Sequence, residues 1–248
     1  MASDFSDKTT LITGAASGIG LATARLVADR GGALILVDRD RHALHDNWEG
    51  LAELHAGDVA DPDFWVWIEA GLDRIDHALV NAGISSAGEI AHLDFAEWRR
   101  VLSVNLDGAF LTLRTALRHV REGGSIVCTA SAAGFKAEPG VAAYGASKAA
   151  LIQLMKVAAK EAAPNRVRVN AIAPGGVETP IWRGMEFFDA MVAEKGEQAA
   201  FDAMAEMATP LGRYARADEI AEQIAFLWSD AAATITGAVL TSDGGYTL

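Results

Sequence analysis

Short apolar runs that alternate with longer helix-like segments constrain the fold of this chain more than any other feature. The runs have the composition of buried strands, and the segments between them repeat apolar residues every three or four positions. Regular alternation of this kind predicts an α/β fold in which a doubly wound parallel sheet of seven strands is covered by helices on both faces. We predict strands at Thr9–Thr13, Ala33–Val37, Glu53–His55, His77–Asn81, Ser125–Thr129, Arg168–Ile172 and Val239–Thr241.

The helical segments begin with recognisable start signals. Asp61 precedes Pro62, which is a capping residue followed by proline in the first turn. Asp94 is followed three residues later by Glu97, the spacing of a capping box. We predict helices at Ile19–Arg30, Pro62–Leu72, Asp94–Val120, Ala143–Ala162 and Asp218–Ser229, with one or two more in the irregular segment 180–210.

Apolar stripes indicate which faces of two helices enter the core. Their members recur at helical spacing, so packing explains them better than ligand binding does. The first stripe is Phe64, Trp67, Ile68 and Leu72, and the second is Leu151, Leu154, Met155 and Ala158.

Composition limits the domain count and the classes of partner. A chain of 248 residues with 51% hydrophobic side chains fits one domain spanning residues 1–248. Its 21 basic and 33 acidic residues give a net charge of −12, which opposes binding to nucleic acid or to an anionic membrane. The single cysteine, Cys128, cannot form an intrachain disulfide. With no signal peptide and no membrane-length apolar stretch in view, we expect a cytoplasmic protein.

A glycine-rich turn joins the first strand to the first helix. It reads Thr-Gly-Ala-Ala-Ser-Gly-Ile-Gly over residues 13–20, with the glycines spaced G-x-x-x-G-x-G. Glycine lets the backbone approach a pyrophosphate closely, and a helix N-terminus directs free N–H groups at the anion. The strand before the turn and the helix after it favour dinucleotide binding over simple chain reversal.

Asp38, at the end of the second strand, indicates which dinucleotide binds. A carboxylate there can accept hydrogen bonds from the adenosine ribose hydroxyls and would repel the additional phosphate of NADP. Position 17 is serine and supplies no cation for that phosphate. The pattern predicts NAD, with NADP less favoured, although Arg39 can turn toward a phosphate.

Ser131, Tyr144 and Lys148 form a candidate catalytic group. On a helix, Tyr144 and Lys148 lie four residues apart and their side chains can meet. A lysine cation beside a phenol favours the phenolate, so we expect Lys148 to lower the pKa of Tyr144. Tyr144 then acts as acid or base on a substrate oxygen.

Together these motifs resemble the short-chain dehydrogenase/reductase family, in the subfamily with a TGxxxGxG turn and a YxxxK active site. The resemblance covers essentially the whole chain and implies a single-domain, Rossmann-like sheet. Its order and spacing are specific, although each short motif alone is common. The matching positions are residues 13–20, Asp58-Val59, Asn81-Ala82-Gly83, Asn105, Ser131, Tyr144 and Lys148, Pro174-Gly175 with Thr179, and Ser242-Asp243-Gly244-Gly245.

The resemblance implies a role for each of these residues. Tyr144 is the general acid/base, Ser131 orients the substrate oxygen, and Lys148 holds the nicotinamide ribose and lowers the tyrosine pKa. Asn105 interrupts its helix and holds a water that links Lys148 to solvent. The implied cofactor contacts, in addition to Tyr144 and Lys148, are Gly14, Ser17, Gly18, Ile19, Asp38, Asp58, Val59, Asn81, Ala82, Gly83, Pro174, Gly175, Val177 and Thr179.

Residues 180–210 are expected to form a substrate-binding lid, because the family places its substrate loop after Thr179. The alternative is that the apolar residues of this segment only pack the lid onto the body. The segment has no clustered basic pair, although Arg183 is one candidate contact for an anion. We therefore expect a small secondary alcohol or ketone with an apolar body as substrate. Candidate pocket residues are Trp182, Met185, Phe187, Phe188 and Met191.

The leading interpretation is an NAD-dependent alcohol dehydrogenase that uses no metal. His42 and His45, near Asp46, fit a solvated helix face better than a metal site. An NADPH-dependent 3-oxoacyl-type ketoreductase is the nearest alternative, and a non-catalytic dinucleotide-sensing protein is a remote one. The resemblance also implies a homotetramer in which the helices at residues 94–120 and 143–162 pair between subunits, helped by Ala149, Ala150 and Ala158.

Overall fold

All seven predicted strands are present in the computed structural model, which describes residues 4–248. They form one parallel sheet, and a separate pair of two-residue strands, which the sequence did not indicate, lies outside it. The strands are β1 Thr9–Thr13, β2 Ala33–Asp38, β3 Glu53–Ala56, β4 Ile75–Val80, β5 Val120–Thr129, β6 Arg168–Pro174, β7 Val177–Glu178, β8 Ala215–Arg216 and β9 Val239–Ser242. The order in the large sheet is β3-β2-β1-β4-β5-β6-β9.

Helices cover both faces of this sheet. Neighbouring strand residues belong to opposite cores: Leu11 packs with the cluster that includes Trp65 and Met155, whereas Ile12 packs with Val27 and Ile224. This confirms the doubly wound architecture, since side chains of a strand alternate between its two faces. The helices are α1 Gly18–Asp29, α2 Arg41–Trp48, α3 Pro62–Gly71, α4 Phe95–Leu102, α5 Gly108–His119, α6 Ala142–Ala162, α7 Glu186–Lys195, α8 Glu197–Ala208 and α9 Ala217–Trp228.

The predicted helix Asp94–Val120 is divided by a π-helical turn at Ser103–Asp107, between α4 and α5. Asp94 caps its start as predicted, because Oδ1 accepts the Ala96 N–H at 3.0 Å. The predicted capping box is wrong. The carboxylate of Glu97 instead accepts two hydrogen bonds from the guanidinium of Arg100, at 2.6 and 2.7 Å.

The predicted core stripe of α3 is partly wrong. Trp65 and Ile68 are buried against the sheet, whereas the side chain of Trp67 is 62% exposed and lies edge-on to His55 of β3. The indole of Trp65 donates to the Val59 carbonyl at 2.8 Å, which satisfies its N–H inside the core. Apolar residues occupy two faces of this helix, so spacing alone did not identify the buried one.

The stripe of α6 is confirmed at Leu151, Met155 and Ala158, which are buried in the core, and Leu154 is partly buried against it. The burial of Ala158 against the sheet contradicts its expected place at a subunit interface. Among residues 4–248, no helix has the length and apolar character that a bilayer span requires.

The sheet order creates a crevice at the carboxyl ends of β1 and β4. From β1 the chain continues outward to β2 and β3, then returns to the other side of β1 as β4. Connections therefore leave in opposite directions from these two strands, which is where open α/β sheets bind ligands.

Candidate active site

The turn after β1 has a backbone that only glycine can form. Gly14 has a φ of +70°, and a Cβ on Gly20 would lie 2.0 Å from the Gly14 carbonyl oxygen. No side chain caps the N-terminus of α1, so its first N–H groups face the crevice without such a partner. A bare backbone and an uncapped helix start fit the pyrophosphate of a dinucleotide.

Asp38 lies beside this turn, as the sequence predicts for a ribose-binding carboxylate. Its Oδ2 accepts the Ala16 N–H at 2.9 Å, and its Oδ1 accepts the Asp40 N–H at 2.9 Å. These bonds orient the carboxylate toward the glycine turn. Asp58 and Val59 follow β3, the neighbour of β2, and the Asp58 Oδ1 accepts the Ala60 N–H at 2.9 Å.

Asn81 connects the ends of three strands. Its backbone N–H donates to the Thr13 hydroxyl at 3.0 Å, and its Nδ2 donates to the Thr13 carbonyl at 3.0 Å. The Thr129 hydroxyl donates to its Oδ1 at 3.1 Å, and the Ala82 N–H shares the Thr13 hydroxyl. Asn81 therefore positions the carboxyl ends of β1, β4 and β5, a structural role that the sequence did not indicate.

Asn105 is fully buried in the π-helical turn. Its Oδ1 accepts the Ile84 N–H at 2.8 Å, and its Nδ2 donates to the Ile84 carbonyl at 2.9 Å and to the Ser147 hydroxyl at 3.1 Å. The turn interrupts the helix where the resemblance implied. It joins the loop after β4 to the helix that carries Tyr144 and Lys148.

The Ser131 hydroxyl lies close enough to the Tyr144 phenol to influence its pKa. Ser131 caps a short 3₁₀ turn, where its Oγ accepts the Ala133 N–H at 3.2 Å. Tyr144 is in the first turn of α6 and remains partly accessible. Burial of the phenol raises the pKa of Tyr144, and the nearby Ser131 hydroxyl opposes this.

Lys148 is buried one turn further along α6, and its Nζ donates to the Thr129 carbonyl at 2.8 Å. Burial lowers the pKa of Lys148 to about 8. Its Nζ is 5.7 Å from the ring centre of Tyr144. The expected lowering of the Tyr144 pKa by Lys148 is wrong for this arrangement: burial raises that pKa, and the opposing influence comes from Ser131.

Gly83 and the segment after β6 complete the crevice. A Cβ on Gly83 would lie 3.4 Å from both the Lys148 Nζ and the Asn105 Oδ1, so this backbone borders the catalytic lysine. Gly175, after Pro174, packs so closely on the C-terminal segment that its Cβ would lie 2.9 Å from the Asp243 Cα. A Cβ on Gly18 would lie 3.3 Å from the Thr179 side chain.

Val177 connects this segment to an aromatic pair. Its carbonyl accepts the indole N–H of Trp182 at 2.9 Å, and the Trp182 ring stacks on Tyr214 with centroids 5.8 Å apart. Tyr214 occupies the space left by the missing side chain of Gly176, whose Cβ would lie 2.3 Å from the tyrosine ring.

Taken with the preceding contacts, the structure brings the predicted catalytic and cofactor residues to one edge of the sheet.

Residues 180–210 contain α7 and α8, in agreement with the expectation of one or two helices. Phe188 is buried against Phe201 and Met204 in a core belonging to these helices, and Trp182, Met185 and Met191 pack against that core. Phe187 is 48% exposed. The burial of Phe188 is therefore explained by packing within the segment and not by a role in lining a substrate pocket.

Sequence reasoning missed several residues that support the site. Thr129 accepts from Lys148 through its carbonyl and donates to Asn81 through its hydroxyl. Ser147 bonds Asn105. Polar residues directly at strand ends, such as Thr13 and Thr129, were the available signal. Within residues 4–248, no three His, Cys, Asp or Glu side chains are grouped so that they could hold a metal ion.

Comparison with known proteins identifies the class of this fold and site. A family model described as Enoyl-(Acyl carrier protein) reductase matches residues 14–247. The cis-4-hydroxycyclohexanecarboxylate dehydrogenase of Sinomonas cyclohexanicum is 38% identical, over 100% of this chain and 99% of the relative. The 3-oxoacyl-[acyl-carrier-protein] reductase FabG of Thermotoga maritima is 34% identical, over 96% and 97%. The L-sorbose reductase of Gluconobacter frateurii, solved with NADPH and L-sorbose, is 28% identical with a TM-score of 0.91, over 99% and 98%.

The chain is an oxidoreductase that acts on alcohol or ketone groups with a nicotinamide dinucleotide. It belongs to the short-chain dehydrogenase/reductase family.

Proposed function

We propose that this protein is an NAD-dependent dehydrogenase that interconverts a small secondary alcohol and its ketone. The observation that carries the proposal is the proximity of Ser131 to Tyr144, with buried Lys148 one helical turn away, beside a glycine turn bordered by Asp38. Residues 1–248 act as one domain in this proposal, with 180–210 as a substrate-binding lid.

Tyr144 performs the proton transfer. In the oxidative direction its phenolic oxygen takes the proton from the substrate hydroxyl, and in the reductive direction it returns a proton to the ketone oxygen. Ser131, which lies close to Tyr144, binds the same substrate oxygen and fixes its position. The nicotinamide ring, when bound, accepts or supplies the hydride at C4.

Lys148 stabilises the deprotonated state of Tyr144. Its ammonium group is buried and tied to the Thr129 carbonyl, so its charge acts where water screens it weakly. Asn105 fixes the helix that carries both residues by bonding Ser147 and Ile84. The family role of Asn105, holding a water that connects Lys148 to solvent, is part of this proposal.

The cofactor contacts that the resemblance implies form the binding part of the proposal. The turn at Gly14, Ser17, Gly18 and Ile19 binds the pyrophosphate, and Asp38 binds the adenosine ribose. The adenine lies against Asp58 and Val59. The central and nicotinamide parts contact Asn81, Ala82, Gly83, Pro174, Gly175, Val177 and Thr179.

Asp38 supports NAD over NADP. Its two oxygens already bond backbone N–H groups near the turn, which orients a negative charge toward the position of the ribose. A phosphate on that ribose would be repelled at short range. Arg39, which follows Asp38, is the residue that would favour the opposite preference.

The proposed substrate is a cyclic secondary alcohol with an apolar body. Support comes from the 38% identical relative, whose name specifies a hydroxycyclohexane ring. Arg183, the candidate anion contact of the lid, is exposed and paired with Glu197 at 3.1 Å.

A 3-oxoacyl-type ketoreductase is the second candidate, favoured by the 34% identical relative of that name. In its NADPH-dependent form this alternative is disfavoured by Asp38. We also propose a homotetramer, since Phe95 of α4 and Phe110 of α5 expose 72% and 47% of their surfaces. A monomeric mass in light scattering would contradict it.

The deciding experiment compares NAD and NADP. NADH formation is followed at 340 nm with cyclohexanol, cyclopentanol and linear secondary alcohols, and ketone reduction is followed with NADH and NADPH. We expect kcat/KM with NAD to exceed that with NADP by about 100-fold, which is roughly 2.7 kcal/mol of transition-state binding.

Asp38→Ser tests the cause of this preference. We expect the ratio to fall by about tenfold or more, through weaker use of NAD and stronger use of NADP. Asp46→Ser removes the same charge from the exposed surface of α2 and controls for net charge. Preference for NADPH and acyl-carrier substrates would instead identify the ketoreductase.

A further inference from the structure

The C-terminal segment after β9 is folded into a fixed turn beside the active site. The Asp243 carboxylate accepts the Gly245 N–H at 2.9 Å, and its other oxygen accepts the N–H and hydroxyl of Thr247 at 2.9 and 2.6 Å. Gly244 and Gly245 have φ values of +63° and +90°, which make the reversal possible. The segment is therefore positioned by its own hydrogen bonds.

Tyr246 is bound at this turn by two charged residues of the loop that joins Ser131 to Tyr144. The Lys136 ammonium lies 4.0 Å from the Tyr246 ring centre and donates to its carbonyl at 2.9 Å. Lys136 is in turn 3.5 Å from the Glu138 carboxylate, which lies close enough to the Tyr246 phenol to influence its pKa. Burial and this carboxylate raise the pKa of Tyr246, so its phenol stays neutral.

The C-terminal segment that carries Tyr246 is also joined to the nicotinamide end of the crevice. The Gly175 N–H donates to the Ser242 carbonyl at 3.0 Å, which joins the C-terminal segment to the residue after Pro174. Tyr214, which packs on Gly176, is close enough to Tyr246 to affect its ionisation. Tyr246 therefore lies between the loop of the catalytic serine and the strand end that borders the nicotinamide.

The start of the segment also contacts the end of the lid. A Cβ on Gly244 would lie 3.2 Å from the Thr209 side chain, and one on Gly245 would lie 2.8 Å from Pro210. The C-terminal segment that carries Tyr246 therefore contacts three parts of the molecule: the loop that follows Ser131, the strand end after β6, and the end of segment 180–210.

We propose that the ring of Tyr246 closes the substrate end of the site and limits the length of the alcohol that reaches Tyr144. This inference rests on the proposed alcohol dehydrogenase function and adds a specificity-determining residue to it. The site then selects compact ring alcohols over those that carry an extended substituent opposite the hydroxyl. Lys136 and Glu138 act as positioning residues, because they hold the ring without contacting the substrate.

Graded chemical modification at position 246 tests the inference. The only native cysteine, Cys128, is fully buried and burial raises its pKa to about 12, so it does not react near neutral pH. The variant Tyr246→Cys therefore carries one reactive thiol. It is assayed with cyclohexanol and 4-butylcyclohexanol, first free and then as its methyl and benzyl disulfides from methanethiosulfonate reagents.

We expect the free Tyr246→Cys variant to use 4-butylcyclohexanol, relative to cyclohexanol, about tenfold better than the wild type does. The methyl adduct should reduce that gain, and the benzyl adduct, which restores a ring, should remove it. Tyr246→Phe retains the ring and should retain the wild-type ratio. Tyr246→Trp should lower use of 4-methylcyclohexanol and provides an independent test if the cysteine variant folds poorly.

Leu248→Cys is the matched control, because its side chain is fully exposed two residues further along the same segment. Its adducts should leave the substrate ratio unchanged. Equal ratios for the free thiol, its two adducts and the wild type at position 246 would overturn the role of Tyr246 while leaving the proposed function intact. No NADH formation by the wild type with any alcohol would overturn both.

Discussion

The proposed catalytic centre and the proposed lid, residues 180–210, are stabilised by different kinds of contact. Lys148, Asn105 and Asn81 bond backbone groups at or next to the carboxyl ends of strands, with donor–acceptor distances mostly near 3 Å. The lid is held instead by an apolar cluster around Phe188 and Phe201, and glycines with positive φ stand on both sides of α7, at Gly184 and Gly196.

This difference has a physical consequence for function. Hydrogen bonds to a rigid sheet fix direction as well as distance, which proton transfer to a substrate oxygen requires. Apolar packing is non-directional, so a lid built on it can adjust to different substrates while its core stays dry. Changes in the centre should therefore reduce turnover, whereas changes in the lid should alter substrate binding.

The largest effect is expected for Tyr144→Phe. Loss of the phenolic oxygen removes the acid/base, and we expect kcat to fall by about 1000-fold. Stability should change little, because loss of one polar group near Ser131 costs no more than about 1 kcal/mol. Stopped-flow or steady-state NADH formation measures the first quantity and urea unfolding the second. Full turnover by this variant would contradict the proposed mechanism.

We expect Phe188→Ala to disrupt the packing of the lid core without changing the arrangement of the proposed catalytic centre. Truncating a buried phenylalanine costs roughly 3–5 kcal/mol of packing, here within the lid core, where Phe188 lies 4.9 Å from Phe201 by ring centroids. We expect substrate KM to rise about tenfold and proteolysis within 180–210 to accelerate. The Kd for NAD should stay within about twofold.

Phe187→Ala is the matched control for that prediction, since the neighbouring side chain is half exposed. It should leave KM and proteolysis near the wild-type values. Equal effects of the two substitutions would show that the buried cluster does not determine the position of the lid.

The smallest effect concerns the pH dependence of stability in the sheet. His77 stacks on Trp228 with centroids 5.4 Å apart, and burial lowers its pKa to about 4, with Lys8 and Arg168 adding to the effect and Asp76 opposing it. Between pH 6.5 and 4 the unfolded chain binds a proton that the folded chain excludes. The free energy of unfolding should therefore decrease as pH falls through this window, on the order of 2 kcal/mol.

Urea unfolding of the wild type and of His77→Gln at pH 7 and pH 4.5 measures this contribution. The difference between the two proteins should shrink or reverse at the lower pH. A difference that does not change with pH would show that His77 is protonated in the folded protein as readily as in the unfolded chain.

Strand positions were predicted well because buried strands of a parallel sheet are short, apolar and separated by turn residues. The predictions were wrong where one sequence pattern is compatible with two structures. Trp65 and Trp67 are both apolar and near in sequence, and only contact with Val59 or with His55 distinguishes them. The sequence offered Glu97 two interactions, a capping box with Asp94 and an ion pair with Arg100. The charge-assisted hydrogen bond with Arg100 is the stronger contact and is the one that forms.

The proposed catalytic residues follow from their spacing in the sequence, but their protonation states do not. A tyrosine and a lysine four residues apart predict proximity, whereas the direction of the pKa of Tyr144 depends on how much of the phenol is buried. The same limit applies to the lid, where the apolar residues of 180–210 fitted both a pocket and an internal core.

By itself, the sequence determined the order of strands and helices, the glycine turn and the positions of Ser131, Tyr144 and Lys148. These features depend on local backbone preferences and on spacing along one element, which a linear pattern records. Only the tertiary structure decided that Asn81 joins three strands, that Phe188 belongs to the lid core, and that Tyr246 lies beside the catalytic loop. Each of those contacts joins residues far apart in the chain, and a local sequence pattern does not specify which distant residue a side chain will contact.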